Sequence, residues 1–250
     1  MISPGKPIAI YLLWVTFLSI LTVTVNAGDP NPKDTLSRST LSVTPRINST
    51  GHFPFTGALI NHHINADINI FYERRPVGFF VFWSKDLVEK SIVNYLQPGV
   101  FATLQLSSKL KVRAFFGYLL SQAESFHDPD SDYYTAGTMY LDLGHGFRIE
   151  NTALFYDLTQ GTKFADRLLL VWQKGKVKVD FYLWHRMVLN EDNHATSAML
   201  ALTFPQIRIS NKTTLLFSSS YQAYLTANRP SWALEKGFLF SLAVPIAVVN

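Results

Sequence analysis

Hydrophobic and polar residues alternate along most of the chain, and residues 177–189 show the alternation most clearly. A period of two indicates a β-strand with one apolar and one mixed face. The apolar face carries Val177, Val179, Phe181, Leu183, His185, Met187 and Leu189, and the mixed face carries Lys178, Asp180, Tyr182, Trp184, Arg186 and Val188. This segment of about 13 residues could cross a bilayer, because a tilted strand needs about 9–11.

Similar segments follow one another from residue 53 onward, joined alternately by tight turns and longer polar links. Short turns at one rim and longer loops at the other are typical of membrane barrels. The pattern predicts an all-β, antiparallel, up-and-down transmembrane β-barrel of about 12 strands. Ten strands remain possible, because the link at 61–65 is short where a long one is expected. The candidate strands are 53–61, 66–73, 77–84, 93–107, 110–121, 133–143, 147–157, 166–173, 177–189, 196–204, 208–225 and 233–248.

The two faces of these strands differ sharply, since the apolar residues share one parity and nearly all strand charges share the other. In a soluble barrel or sandwich the apolar face would point inward. Strand length, the number of unbroken apolar faces and aromatic residues near strand ends favour lipid outside instead. Hydrophobic residues make up 48% of the chain, yet past residue 27 there is no uninterrupted apolar run near the roughly 20 residues of a membrane helix.

The amino-terminal residues carry the features of a secretory signal. Lys6 precedes an apolar stretch at 8–25, and Ala27 ends a small-residue cleavage site. We predict a signal peptide at 1–27, with an uncleaved anchor as the alternative, because the apolar stretch is long. Residues 28–52 are rich in Pro, Ser, Thr and Asn and are predicted to be a flexible segment ahead of a barrel at 53–250.

Composition excludes several functional classes. The chain has no cysteine, which excludes thiolate chemistry, disulfides and cysteine-based zinc sites. The formal net charge is +4, and the basic residues are scattered along the strands rather than clustered, so nucleic acid is not an expected partner.

The leader, the alternating turns and the two-faced strands resemble the small outer-membrane β-barrels of Gram-negative bacteria over about residues 53–249. The resemblance implies a cell outer membrane location after signal cleavage. It also implies contact with outer-membrane lipids and lipopolysaccharide, and with the barrel insertion machinery. One feature departs from that class: the chain ends on Val248, Val249 and Asn250, whereas such proteins usually end on an aromatic residue.

Charges predicted to face the lumen gather near the tight turns. They could pair across strands and fix the narrow end of the barrel, because buried charges need partners. Alternatively, they could form a constriction that selects small anions. Examples of possible pairs are Asp142 with Arg148, and Arg113 with Glu73. The set is Glu73, Lys111, Arg113, Asp142, Arg148, Glu150, Lys178, Asp180 and Arg208.

Aromatic residues predicted to face the lumen concentrate farther from the tight turns. They could simply fill the interior, as large side chains do in small barrels. Alternatively, they could form a vestibule for an apolar or sugar-like solute. The set is Phe80, Phe82, Phe101, Phe115, Tyr140, Tyr156, Tyr182 and Trp184.

Catalytic and metal chemistry is not expected. An outer-wall hydrolase needs a histidine within reach of a nucleophile and a third orienting group, and no serine lies two positions from His185, the strand-centred histidine predicted to face outward. We therefore predict no cofactor and no metal. The preferred function is a narrow passive channel or solute-binding barrel. The alternatives are a structural or adhesion barrel plugged by its charges and, third, an outer-membrane lipid hydrolase.

Overall fold

The computed structural model describes residues 39–249 except 54–56, 62, 89–94, 122–130, 160, 176, 190, 192, 205–206, 210–213 and 229–235. The predicted leader at 1–27 lies outside these residues. Among the described residues, no helix is long and apolar enough to span a membrane.

The described residues form sixteen strands, and most of them build one closed antiparallel barrel. They are β1 (Ser39–Asn48), β2 (Gly51–Phe53), β3 (Ala58–Asn61), β4 (Asn65–Arg74), β5 (Val77–Asp86), β6 (Tyr95–Gln105), β7 (Leu110–Ser121), β8 (Asp132–Gly144), β9 (Phe147–Tyr156), β10 (Lys163–Lys174), β11 (Val177–Val188), β12 (Asn193–Thr203), β13 (Ile207–Arg208), β14 (Thr214–Ala227), β15 (Gly237–Ala243) and β16 (Ile246–Val249).

The barrel wall has twelve strand positions, as the sequence predicts. Strands β4 to β12 pair in chain order, β12 pairs with β14, and β14 pairs with β15. Strands β15 and β16 occupy the last position together, and both pair with β1, which also pairs with β4. Every wall strand therefore has two neighbours, so the barrel has no open edge.

The first wall strand differs from the predicted one, because it is β1 within the supposedly flexible segment 28–52 and not residues 53–61. Its outward positions are apolar (Leu41, Val43, Pro45 and Ile47), whereas its inward positions are Ser, Thr, Arg and Asn. A strand facing a wet lumen needs only one apolar face, so its polar residues were mistaken for a loop.

Pro45 fits the wall because the sheet is interrupted beside it. Within a strand the N–H and C=O of one residue point to the same side, and the Pro45 carbonyl accepts a hydrogen bond from Val244 N at 3.1 Å. The N–H that proline lacks would point to the same place, where β15 ends at Ala243 and β16 begins at Ile246. Proline is tolerated at such irregularities.

Residues 49–64 connect β1 to β4 at the long-loop rim, and they carry the small β2–β3 hairpin, here named the inner hairpin. The predicted strand 53–61 belongs to this hairpin and not to the wall. The connection is long at the rim where the other long loops lie, which removes the irregularity that made ten strands possible.

The outer wall is mostly apolar. Side chains such as Val100, Phe116 and Phe238 are more than half exposed, at 57%, 51% and 65%. The neighbouring inward positions are mostly buried. This is the arrangement expected of strands that face hydrocarbon outside and a polar lumen inside.

Candidate functional site

One half of the lumen, along β4 to β10, is filled with aromatic side chains. Phe71 stacks on Phe80 with ring centroids 5.4 Å apart, and Phe80 meets Phe115 edge-on at 5.6 Å. Phe101 lies 5.7 Å from Phe115, and Tyr134 lies 6.4 Å from Phe80. We call these five residues the aromatic cluster.

Two glycines make room for this cluster. A Cβ at Gly99 would lie 2.6 Å from both the Phe80 ring and the Tyr134 hydroxyl, and one at Gly117 would also overlap the Tyr134 ring. Small residues opposite large ones let side chains fill the lumen without voids. Of the predicted vestibule residues, Phe80, Phe82, Phe101 and Phe115 are buried in this half, together with the partly buried Tyr140 and Tyr156.

Ion pairs lie at the short-turn end of the same half. Arg113 bonds Glu73 at 2.8 Å and the Thr103 hydroxyl at 3.0 Å, and its guanidinium lies 4.3 Å from the Phe101 ring centre. Lys111 is 4.3 Å from the Tyr140 ring centre. The structure thus brings the Glu73 and Arg113 pair together.

A second group of ion pairs lies beside the Arg113–Glu73 pair. Arg148 bonds Glu150 at 2.9 Å, and Arg167 is 3.9 Å from the other Glu150 oxygen and 3.1 Å from the Thr152 hydroxyl. Asp142 is in register with Arg148, but its carboxylate accepts a hydrogen bond from Gly144 N at 2.8 Å. The expected Asp142–Arg148 contact is therefore replaced by one within β9.

Arg208 lies outside both groups. It is exposed on the short strand β13 in the turn between β12 and β14. That Arg208 lines the lumen with the rest of the charge set stays a prediction.

The other half of the lumen contains a cavity of about 270 Å³. Its inward side chains are mostly small, which leaves the space unfilled. Lys178 bonds Asp180 at 2.7 Å, and Arg46 bonds Asp67 at 2.6 Å. The wall of the cavity comes from β1, β4, β11, β12, β14 and β15, including Thr44, Met199, Ala201, Ser218, Ser220 and Ser241.

The inner hairpin closes one side of this cavity. Gln222 on β14 donates to the Gly57 carbonyl at 2.7 Å. Gly57 has φ +68° and lies against the fully buried Trp184, so a Cβ there would be 2.5 Å from the indole. His52 meets Trp184 edge-on at 5.7 Å, and Tyr182 stacks on the same indole at 4.9 Å. The hairpin therefore packs against Trp184, on which Tyr182 stacks. Both are predicted vestibule residues.

Arginines surround His52. Burial, followed by the positive charges of Arg46, Arg167 and Arg186, lowers the pKa of His52 to about 4 from the ordinary 6.5. His52 is therefore neutral at pH 7, and three arginines contribute positive charge around it.

Three of these lumen residues, Arg46, Arg167 and Arg186, were missed in the sequence. Arg186 donates to the Tyr224 hydroxyl, and it shares parity with Lys178 and Asp180, which should have placed it inward. The alternation did not indicate that Arg167 faces the lumen, because the next inward residues of its strand, Leu169 and Val171, are apolar. Among the described residues, no three acidic, histidine or cysteine side chains gather to hold a metal ion.

The chain is similar in fold to solved outer-membrane porins and channels. The NanC porin superposes with a TM-score of 0.56 at 10% identity, over 82% of this chain and 98% of that one. The KdgM porin gives 0.51 at 6% identity, over 83% and 98%. An outer membrane channel from Pseudomonas putida F1 gives 0.50 at 9% identity, over 88% and 100%. No protein-family model matches the chain, and no curated protein matches it in sequence. The chain therefore has the fold of small outer-membrane β-barrels.

Proposed function

We propose that the protein is a narrow passive channel of the outer membrane that prefers small anionic solutes. The observation that carries this proposal is the unfilled cavity of about 270 Å³, which lies beside a half of the lumen that the aromatic cluster fills. Arg46 and Lys178 line this cavity, each paired with a carboxylate that lines it too, Asp67 and Asp180. Arg167 and Arg186 add positive charge near His52. An excess of positive over negative side chains in a narrow lumen favours anions over cations.

The similarity in fold to porins supports an outer-membrane location. In this proposal the long loops face outside and the predicted leader is removed. Outer-membrane lipids, lipopolysaccharide and the insertion machinery are then its surroundings and partners. The charges of the aromatic half, with Arg113 and Glu73 bonded at 2.8 Å, fix the wall in this proposal and select ions only weakly.

Conductance in planar bilayers tests the proposal. We expect discrete openings and a reversal potential in a potassium chloride gradient that indicates chloride preference. Replacing Arg46 and Lys178 with glutamine should shift that potential toward the cation side, whereas replacing Arg113 and Arg148 should shift it less. A protein that inserts but never conducts would contradict the proposal.

The second candidate is a structural barrel plugged from within, and the docked inner hairpin favours it. Its Gln222 to Gly57 bond and its contacts with Trp184 occupy the lumen beside the cavity. Complete absence of conductance in correctly folded protein would support this candidate. Hydrolysis of lipids by the purified barrel would support the third, a lipid hydrolase.

A further inference from the structure

Four polar side chains lie side by side on the outer wall, across β9 to β12. Asn151 donates to Asp166 Oδ1 at 3.0 Å, and His185 Nδ1 lies 3.0 Å from the Thr196 hydroxyl. Asp166 is the direct cross-strand partner of His185, which is the partner of Thr196. Their chain neighbours Thr152, Arg167, Trp184 and Ser197 face the lumen, so these four face outward. We call them the outer polar cluster.

The cluster is unusual for its position. Other outward acidic or basic side chains of the described strands lie within two residues of a strand end, as Arg74, Lys85 and Lys174 do. Asp166 and His185 lie farther from the ends of their strands. A charge on the lipid face of a barrel is destabilising, and an ionisable residue within the membrane region usually has a function.

The cluster lies near the long-loop rim. Asp166, His185 and Thr196 are each three residues from the strand ends Lys163, Val188 and Asn193. At about 3.3 Å per residue along tilted strands, this depth is about 7–10 Å inside the rim. Lipid head groups and acyl chains meet at such a depth.

No basic side chain among the described residues forms an ion pair with the Asp166 carboxylate. Among the described residues, its second oxygen meets no hydrogen-bond donor, and His185 forms no ion pair with it. Arg167 follows it in the chain, but its guanidinium points inward to Thr152 and Glu150. A carboxylate removed from water is stabilised by a cation, and a cationic lipid head group can reach this outward face.

His185 complements the carboxylate. If the Thr196 hydroxyl donates to Nδ1, the ring proton stays on Nε2, which has no partner among the described residues and faces the lipid. An acceptor and a donor therefore stand next to each other on facing cross-strand residues, whose Cβ atoms are about 5 Å apart.

We propose that the outer polar cluster binds a phosphoethanolamine head group from the leaflet at the long-loop rim. The ammonium donates to Asp166, His185 Nε2 donates to a phosphate oxygen, and the two-carbon linker spans the two side chains. Asn151 and Thr196 hold the two binding side chains in place. The inference depends on the barrel being embedded in a membrane but not on its conducting.

The test measures lipid retention by native mass spectrometry of the full chain released from micelles doped with equal amounts of three lipids. Phosphatidylethanolamine should be retained several-fold more than phosphatidylcholine, whose quaternary ammonium has no N–H, and than phosphatidylglycerol, which has no cation. N-methylation of the ethanolamine should weaken retention step by step. Equal retention of all three lipids excludes phosphatidylethanolamine as the ligand, and the proposal then depends on lipid A that carries the same head group.

Variants separate the cluster from the barrel as a whole. Asp166→Asn should abolish the preference for the ethanolamine lipid, and His185→Phe should weaken it. Glu150→Gln is the matched control, because it neutralises a carboxylate of the neighbouring strand that faces the lumen, and it should leave the preference intact. An Asp166→Asn protein with unchanged preference overturns the proposal. If that variant does not fold, the N-methylation series on the wild type decides.

The source of the group is tested in the same assay. Lipid A that carries phosphoethanolamine is compared with unmodified lipid A and with phosphatidylethanolamine. Preferential retention of either phosphoethanolamine lipid supports the proposal and identifies the source. Equal retention of the two lipid A forms, with no preference for phosphatidylethanolamine, overturns it. Conductance measured on the same samples tests the channel separately, so either idea can fail alone.

Discussion

The two halves of the lumen have the same strand pattern but opposite packing. Along β5 to β8 the inward positions carry Phe80, Phe101, Phe115 and Tyr134, all at most 5% exposed. Along β12 to β15 the inward positions carry mainly Ser and Ala, and a cavity of about 270 Å³ remains. Alternation therefore decides which side chains face inward, whereas their size decides whether the lumen is open.

The inner hairpin belongs to the open half for the same reason. Small side chains leave space for residues 51–61, and Trp184 provides a flat surface against which Gly57 and His52 pack. In the other half the aromatic cluster already occupies that volume. The difference predicts where substitutions change permeation and where they change stability.

The largest effect is expected from filling the cavity. Ser218→Trp with Ser220→Trp places two indoles in a space of about 270 Å³. We expect single-channel conductance in planar bilayers to fall by about tenfold, since conduction depends on lumen width. Ser219→Trp is the control, because Ser219 lies between them and pairs with the outward Phe240. An unchanged conductance in the double variant would mean that solutes do not pass through this half.

Truncating the packed half should cost stability and not conductance. Phe115→Ala removes a ring at the centre of the aromatic cluster and should lower the free energy of unfolding by about 3–5 kcal/mol. Urea unfolding from micelles measures it. Phe116→Ala, at an outward position 51% exposed, should cost less because lipid refills the space. Equal losses at both positions would show that the cluster is not tightly packed.

The docking of the inner hairpin should weaken in acid. The pKa of His52 is lowered to about 4 from 6.5 when the hairpin is docked. His52 therefore binds a proton more readily when the hairpin is undocked. Docking is then strongest above pH 6.5 and weakens as the pH falls toward 4, by on the order of 3 kcal/mol.

A cysteine at Thr50 reports this change, since the chain has no other cysteine. Its labelling by a pyridyl disulfide that reacts in acid should speed up between pH 6.5 and 4. The same protein with His52→Gln should lack that step, and the ratio of the two rates cancels the pH dependence of the reagent. Parallel pH profiles would exclude His52 as the titrating group.

The smallest effect is expected from removing the hydrogen bond that joins the inner hairpin to the wall. Gln222→Ala removes the donor to the Gly57 carbonyl, a bond of 2.7 Å. Leaving that carbonyl unpaired should cost about 1–2 kcal/mol and raise Thr50Cys labelling at pH 7 about tenfold. Gln97→Ala makes the same change at a buried inward position of the packed half and should leave labelling unchanged. A similar rise in both variants would point to general loosening of the barrel.

Much of the wall was predictable because most strands show the alternation of apolar and polar residues within their own sequence. Eleven of the twelve wall positions overlap predicted strands, and β1 was missed only because Pro45 and a polar inward face were taken for loop signals. The site was less predictable. The strand that carries His185 has no serine two positions from it, whereas the neighbouring strand places the Thr196 hydroxyl 3.0 Å from the ring.

The sequence by itself determined that this chain forms a barrel and which side chains share a face of each strand, because a period of two is a local property. Tertiary structure decided how the strands register, and therefore which charges pair, such as Arg46 with its cross-strand partner Asp67. It also decided that residues 51–61 fold into the lumen. Those contacts join residues far apart in the chain, as Gln222 and Gly57 are, so no local pattern records them.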